Sequence, residues 1–392
     1  MIVVEKRSRE AIVVGLCAHG LDLVHALARE GIKVHALESK RNLPGVRTEL
    51  ATVHLVKDIS GPGLVPSILA VAEEMDGREL PVLLLTNDKM VFAAAAGMQL
   101  LQQKVMVSWS RSHQLVSTLL LKDNLPDLCA RSGLNYPRSA IVSSTLPEET
   151  RSAVEQLRFP MMAKPVKPMA SFKAVLLHSP EDLLQHIANH KLDLPIVVQE
   201  WVPGDVTSLK FCAIYFDEGH PVTHFEGRKL DTLPRGTGTT TVAEGIDAPE
   251  LYEAALRFFN GLKISGPVSL EFKEDPSGAL WVIEPTAFRT DYWAGCCIAN
   301  GVNLPLVEYC HQAGIPAPGP APRSGRVWVD LERNPASLLT ALRLRPGVVV
   351  SPWRLALTYA SIRDPRPLLN LIVQWISRLR ASLTRRIARA SL

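Results

Sequence analysis

Between Gly266 and Tyr292 the chain reads GPVSLEFKEDPSGALWVIEPTAFRTDY, and its alternation leaves little choice of structure. Val268, Leu270 and Phe272 alternate with Ser269, Glu271 and Lys273, the period of a half-buried strand. Asp275-Pro276-Ser277-Gly278 is a turn signal, with Pro presetting one φ and Gly freeing another. A second strand follows over Leu280–Glu284. If the hairpin closes about Pro276–Ala279, every cross-strand pair keeps one register and Glu271 faces Glu284. Like charges directly opposite are unfavourable. Either both acids lie on a solvated face, or a divalent cation held by oxygen ligands sits between them. Mg2+ is one such ion, typically held by one or two carboxylates plus substrate phosphates.

The rest of the chain must supply the context. Its 392 residues predict more than one domain. A hydrophobic content of 47% with 21% charge is ordinary for a soluble globular protein. The six cysteines form no CxxC pair and no zinc-ligand spacing, which points to a reducing compartment, and a cytoplasmic protein is expected. No signal-peptide core and no run of 18 apolar residues is present. The net charge of +4 belongs to the tail: from Arg363 onward there are seven Arg and one Asp, leaving 36 basic and 38 acidic residues elsewhere. No global nucleic-acid signal remains.

Residues 11–38 read strand, turn, helix, strand, the opening βαβ of a doubly wound α/β domain. Gly15, Gly20 and Glu38 fall near dinucleotide-fingerprint positions, but Cys17 stands where the second glycine belongs. A dehydrogenase reading fails there. Strands ATVHLV and PVLLLT, with helices from Leu64 and Asp88, extend the domain, and Asn87 and Asp88 are N-cap residue types at a strand end. Near Lys122 the pattern changes. A helix ends at Gly133, a second covers TLPEETRSAVEQLRFP, and two strands flank a loop that holds Lys164, Lys167 and Lys173. These lysines could close over phosphates or form a solvated basic hairpin. The strand Ile196–Val198 reaches Gln199-Glu200-Trp201-Val202 and turns at Pro203-Gly204. GRKLDTLPRGTGTTTVAEG then brings Arg228, Lys229 and Arg235 next to a Gly/Thr-rich segment able to offer donors to an anion.

This order of features, over about residues 11–315, resembles the ATP-grasp superfamily. It is most similar to carboxylate–amine ligases of the D-aspartate-ligase-like and carbamoyl-phosphate-synthase-like groups. The resemblance implies a Rossmann-like pre-ATP-grasp domain over 1–115 and an ATP-grasp domain over 116–320, with a lid subdomain at about 135–200 and an antiparallel ATP-binding sheet. It also implies the activity: an ATP- and Mg2+-dependent ligase, with Mn2+ as the alternative ion, joining a small-molecule carboxylate to an amine through an acyl phosphate. Lys122 matches the first phosphate-contacting basic residue, Lys164 the strand lysine, and Lys173 the lid loop. Gln199, the backbone of Glu200 and Val202, and Asp205 match the adenosine contacts, although Asp205 is displaced by one residue and Val206 takes the usual place. Glu271 and Glu284 match the metal-bridging carboxylates. The usual E-x-N-x-R motif departs here: Thr286 replaces Asn as a metal ligand, and Arg289 comes one residue late as the phosphate-facing, catalytic arginine. Arg228 and Arg235 are expected at the substrate. A catalytically inactive scaffold or nucleotide-binding regulatory protein is the competing reading.

Residues 321–392 read as a C-terminal extension, with a strand in RVWVDLE and a helix from Pro367. Leu368, Ile372, Trp375, Leu379, Leu383 and Ile387 form its apolar stripe, and Arg378, Arg385 and Arg389 lie off it. A basic amphipathic helix of this kind either docks on protein, including a second copy in a homo-oligomer, or rests peripherally on an anionic membrane surface.

Overall fold

The computed structural model describes residues 9–75, 79–166 and 170–390, and for Leu379 and residues 382–390 the backbone alone. Lys167 and the side chains of Leu383, Arg385, Ile387 and Arg389 thus lie outside the described residues. Three sheets organise the chain. The first is parallel, in the order β3-β2-β1-β4, formed by β1 (Ala11–Val14), β2 (Val34–Glu38), β3 (Thr52–Leu55) and β4 (Val82–Leu85). β1, β2 and β4 are buried throughout, as strands of a two-sided parallel sheet must be.

The glycines of the first turn serve packing. Gly15 has φ 93°, and a Cβ there would sit 2.3 Å from Thr86 Oγ1. A Cβ on Gly20 would sit 2.0 Å from the Gly15 carbonyl oxygen. The Glu38 carboxylate accepts from the backbone N–H groups of Leu16 at 2.8 Å, Ser39 at 2.7 Å and Lys40 at 3.0 Å. It ties down the loop where a dinucleotide-binding protein would hold a ribose.

The second sheet has the order β5-β8-β6-β7, from β5 (Ser139–Val142), β6 (Met161–Pro165), β7 (Val175–Leu177) and β8 (Ile196–Glu200). Its apolar face (Val142, Met161, Ala163, Ile196 and Val198) packs with Val154, Leu183 and Ile187 from the helices Pro147–Val154 and Pro180–Asn189. The preceding helix, Leu125–Ser132, is closed by Gly133 at φ 63°, a left-handed cap.

The third sheet has seven strands: β9 (Leu209–Asp217), β10 (His220–Leu233), β11 (Thr239–Gly245), β12 (Gly266–Glu274), β13 (Leu280–Ala287), β14 (Val327–Val329) and β15 (Leu355–Leu357). Their order is β13-β12-β9-β10-β11-β14-β15, antiparallel except for β14–β15. Residues 327–357, read from sequence as an extension, therefore complete the main sheet. β12 is also more buried than the expected half-buried strand. Val268, Leu270 and Phe272 enter the main core, while on the other face Ser269 and Lys273 are only 2% and 3% exposed. One carboxylate lies deep between the first and third sheets: Glu308, on the helix Leu304–Ala313, is 3% exposed and accepts from Ser108 Oγ at 2.6 Å.

The final helix, Arg366–Ala390, packs on the 3-10 turn Pro44–Arg47 of the first domain. Its docked residues are Leu371, 1% exposed, with Leu368 and Trp375 against the same core. Leu368 and Trp375 belong to the expected stripe, whereas Ile372 is 38% exposed and Leu371 takes its inward place. Among the described residues no helix is long and apolar enough to cross a membrane.

Candidate active site

The β12–β13 hairpin brings Glu271 opposite Glu284, though not through one continuous register. Near the turn Phe272 pairs with Val282 and Glu274 with Leu280, a register in which Glu271 would face Ile283. A bulge at Ile283 shifts the pairing by one, and Glu271–Glu284 and Ser269–Thr286 then match. The offset for the two charges is also supplied differently from the expectation. Lys229 Nζ lies 2.6 Å from Glu271, and Lys122 Nζ donates to Glu284 at 2.7 Å. Burial raises the Glu271 pKa above its ordinary value, with Lys229 opposing. For Glu284 the burial penalty is outweighed by Lys122 and Lys164, and the pKa falls below the usual carboxylate range. Burial likewise opposes the charge of Lys122, but Glu284 wins and raises its pKa. Lys164 has no ion pair among the described residues, and burial outweighs the pull of Glu284 and lowers its pKa to about 8.

These groups line one cleft of about 450 Å³ between the three sheets. At one end lie Gln199, Glu200, Trp201 and Val202, just past β8. Gln199 is 2% exposed, and its Nε2 has no hydrogen-bond partner among the described residues. The Glu200 N–H is engaged by Arg138 O at 2.9 Å. Lys273, two residues from Glu271 on the same face, lies 3.4 Å from the centroid of the Trp201 ring, and burial lowers its pKa to about 8. In the middle lie Lys122, Lys164, Lys229, Glu271, Glu284 and Thr286. The far end holds Arg289, Asp291, Tyr292, Arg333 and the Gly236–Thr240 loop, onto which Lys173 donates to Thr239 Oγ1 at 3.3 Å.

The late arginine has a structural cause. Phe288 adopts φ 67°, a conformation a bulky residue rarely takes, and buries its ring against Trp109 at 5.2 Å. The turn removes residue 288 from the cleft face and delivers Arg289 there. Arg289 is held by the carboxylates of Asp88 and Asp291, which raise its pKa against the burial penalty. Asn87 is the N-cap, accepting from the Met90 N–H at 3.0 Å. His19 also lines the cleft, but Nε2 meets Thr86 O at 2.7 Å and so carries the proton, while Nδ1 faces Cys17 Sγ at 3.3 Å. It is fully engaged.

Three expected residues lie elsewhere. Arg228 is off the cleft, with its Nε donating to Glu244 at 2.7 Å. Asp205 does not line the cleft; its Oδ1 accepts from the Thr207 N–H at 2.8 Å. Arg235 is exposed beside it and contributes to lowering the Asp205 pKa, behind the hydrogen bonds from Thr207 and Ser208. Alternation should have warned of the first: Arg228 and Lys229 cannot share a face of β10. The same rule, applied to Glu271, predicts Lys273 in the cleft.

No family model matches the chain. Solved structures do match. N5-carboxyaminoimidazole ribonucleotide synthetase in its ADP complex aligns with a TM-score of 0.67 at 15% identity, covering 88% of this chain and 88% of that one. The fold is ATP-grasp. Carboxyaminoimidazole ribonucleotide synthase from Aspergillus clavatus, complexed with ATP, aligns at 0.66 with 15% identity over 87% of each chain. Biotin carboxylase from Campylobacter jejuni aligns at 0.62 with 13% identity, over 80% of this chain and 73% of that one. In sequence, this chain is 23% identical over 209 residues to a D-aspartate ligase of Enterococcus faecium (strain Aus0004). That match covers 49% of each, so the similarity spans about half the length of the curated relative.

Proposed function

We propose that this chain is an ATP- and Mg2+-dependent ligase that joins a carboxylate to an amine through an acyl phosphate. The observation that carries this reading is the pair of facing carboxylates, Glu271 and Glu284, ringed by Lys122, Lys164 and Lys229 in one cleft. A carboxylate of one substrate attacks the γ-phosphorus of ATP, the bond to the β-phosphate oxygen breaks, and ADP leaves. The amine nitrogen of the second substrate then attacks the acyl carbon, phosphate leaves, and the nitrogen gives up a proton.

The chain's part is placement and charge stabilisation. The nucleotide base would lie at the Gln199–Val202 end, where the unpartnered Gln199 amide seeks a polar edge. Asp205 and Arg235, close to one another outside the cleft wall, are the least supported members of the adenosine and substrate sets. Glu271, Glu284 and Thr286 supply an oxygen set suited to Mg2+, and among the described residues no third His, Cys, Asp or Glu joins them. Substrate phosphates would complete such a site, as is usual for this ion. When bound, the ion neutralises phosphate oxygens. Lys122 and Lys229, which pair the two acids here, are then free to turn to phosphate as well. Lys164, Lys173 and Arg289 add positive charge where negative charge develops. The test is ADP release over a panel of carboxylate and amine pairs with product mass measured, in wild type and Glu284→Gln. Turnover in the variant equal to wild type refutes the metal-site assignment.

A second proposal concerns the tail. The side of the final helix away from the docked face exposes Leu369, Ile372, Val373 and Ile376, with Arg378 and Arg380 nearby in sequence. An apolar strip on a basic helix complements an anionic phospholipid surface. The chain should pellet with vesicles containing phosphatidylserine, and Val373→Asp with Ile376→Asp should abolish pelleting; equal pelleting removes the idea. The six cysteines, none of them in a disulfide among the described residues, support residence in a reducing compartment.

A further inference from the structure

The far end of the cleft has an imbalance that nucleotide binding does not explain. Every acid lining the cleft already faces a cation. Asp88 and Asp291 share Arg289, Glu271 has Lys229, Glu284 has Lys122, and Glu200 faces Arg138 at 3.7 Å. The cations are not all matched in return. Arg333, from the turn after β14, lies over the Tyr292 ring with Cζ 4.8 Å from the centroid, and its Nε donates to Tyr292 OH at 2.8 Å. Its one ion pair among the described residues, with Asp330 Oδ2, is at 3.5 Å and makes no hydrogen bond. The side chain is 42% exposed, and among the described residues neither Nη atom has a hydrogen-bond partner. Lys173 reaches the same end from the lid, where its sole hydrogen bond among the described residues goes to a threonine hydroxyl.

A guanidinium anchored at a tyrosine through its Nε, with both Nη donors left for a ligand, is suited to a bidentate carboxylate. The cleft offers no spare acid to hold an ammonium, which suits an amine that must be neutral to attack. The geometry points to Arg333, assisted by Lys173, as the docking point for a carboxylate that the reaction does not consume, borne by the amine substrate. That substrate is then an amino acid rather than a simple amine. This inference rests on the ligase reading for its chemistry, but its binding test does not.

The test uses the full chain saturated with MgADP, titrated with aspartate of either hand as the probe, alongside succinate and propylamine, with the fluorescence of the nearby Trp293 and Trp328 as signal. Aspartate should bind, and propylamine should not. Arg333→Met should weaken aspartate at least about tenfold, the lower range for a charge-assisted hydrogen bond, while the ADP and ATP dissociation constants stay within twofold of wild type. Arg333→Lys should recover only part of the loss, because a point charge lacks the fork. Succinate bound as tightly as aspartate would move the carboxylate to the acyl-donor substrate and overturn the assignment to the amine. No carboxylate binding in wild type, or a selective loss of ATP affinity in Arg333→Met, overturns the docking point altogether. If aspartate binding depends on Arg333 but no amine ever supports ADP release, the docking point stands and the ligase reading fails.

Discussion

Glu308 offers a quantitative test of the fold, far from any substrate. Burial raises its pKa from 4.5 to about 7, with the Ser108 hydroxyl only partly opposing. The native state therefore holds this proton more tightly than the unfolded chain does. The resulting stabilisation is complete below the unfolded value and is lost as pH rises through the folded one. At ~1.36 kcal/mol per pH unit, that elevation means the ionised form costs the native state about 3 kcal/mol in mildly alkaline solution. Glu308→Gln keeps the shape and an oxygen for Ser108 but cannot ionise. For a chain of this length the unfolding entropy is roughly 0.8 kcal/mol/K, so the variant should melt about 4 °C above wild type near pH ~8.5. Near pH ~5 the two should differ by no more than about 1 °C. Calorimetric or fluorescence-monitored melting at both pH values decides. An equal shift at both, or a less stable variant at the higher pH, refutes the claim that this buried carboxyl titrates near neutrality.

Other perturbations follow from the same coordinates. Gly20→Ala would put a methyl carbon 2.0 Å from the Gly15 carbonyl oxygen, backbone that has nowhere to go; a loss of about 1–3 kcal/mol is expected in urea denaturation. Lys229→Met leaves the buried Glu271 carboxylate without its partner, a change that typically costs about 3–5 kcal/mol. Adding Glu271→Leu should recover most of that, as read by the same denaturation series. Since the Lys164 ammonium loses its proton at about 8 in the unliganded protein, ATP affinity should fall as pH rises through that value. Equilibrium dialysis should show a flatter profile for Lys164→Gln, and an unchanged profile counts against a phosphate contact.

The fold was legible where periodicity and punctuation agree. The βαβ opening, the Gly133 cap, the β6–β7 hairpin and the strand leading to Gln199 all follow from alternation and turn residues. The facing pair Glu271–Glu284 was also reached, although the sequence carries no mark of the Ile283 bulge that brings them opposite. What stayed hidden depends on contacts between distant segments. Nothing local says that Phe288 turns left-handed to reach Trp109, or that Glu244, which also accepts from Arg345, engages Arg228 on the far face. Nor does RVWVDLE reveal that it will pair with β11 and bring Arg333 to a cleft built from residues some 40 to 310 positions earlier. In the final helix Leu368 and Trp375 dock as the stripe predicts, but Leu371 takes the inward place expected of Ile372, because apolar residues adjoin on both sides and periodicity alone does not say which of the two is docked.

That late pairing has a bearing on how the protein is made. A ribosome that has delivered the first three strands of the large sheet has produced β11 with one unpaired edge, and the strand that closes it comes about eighty residues later. Throughout that interval the nascent chain carries an open template for stray strand pairing, while the cleft lacks the wall that holds Arg333. Synthesis thus orders assembly: the parallel sheet and the sheet of β5 to β8 can form first, and the cleft closes only as the last stretch emerges. Cleavage of the chain between Gly319 and Arg326 would separate an unclosed sheet from its final two strands rather than release a dispensable appendage.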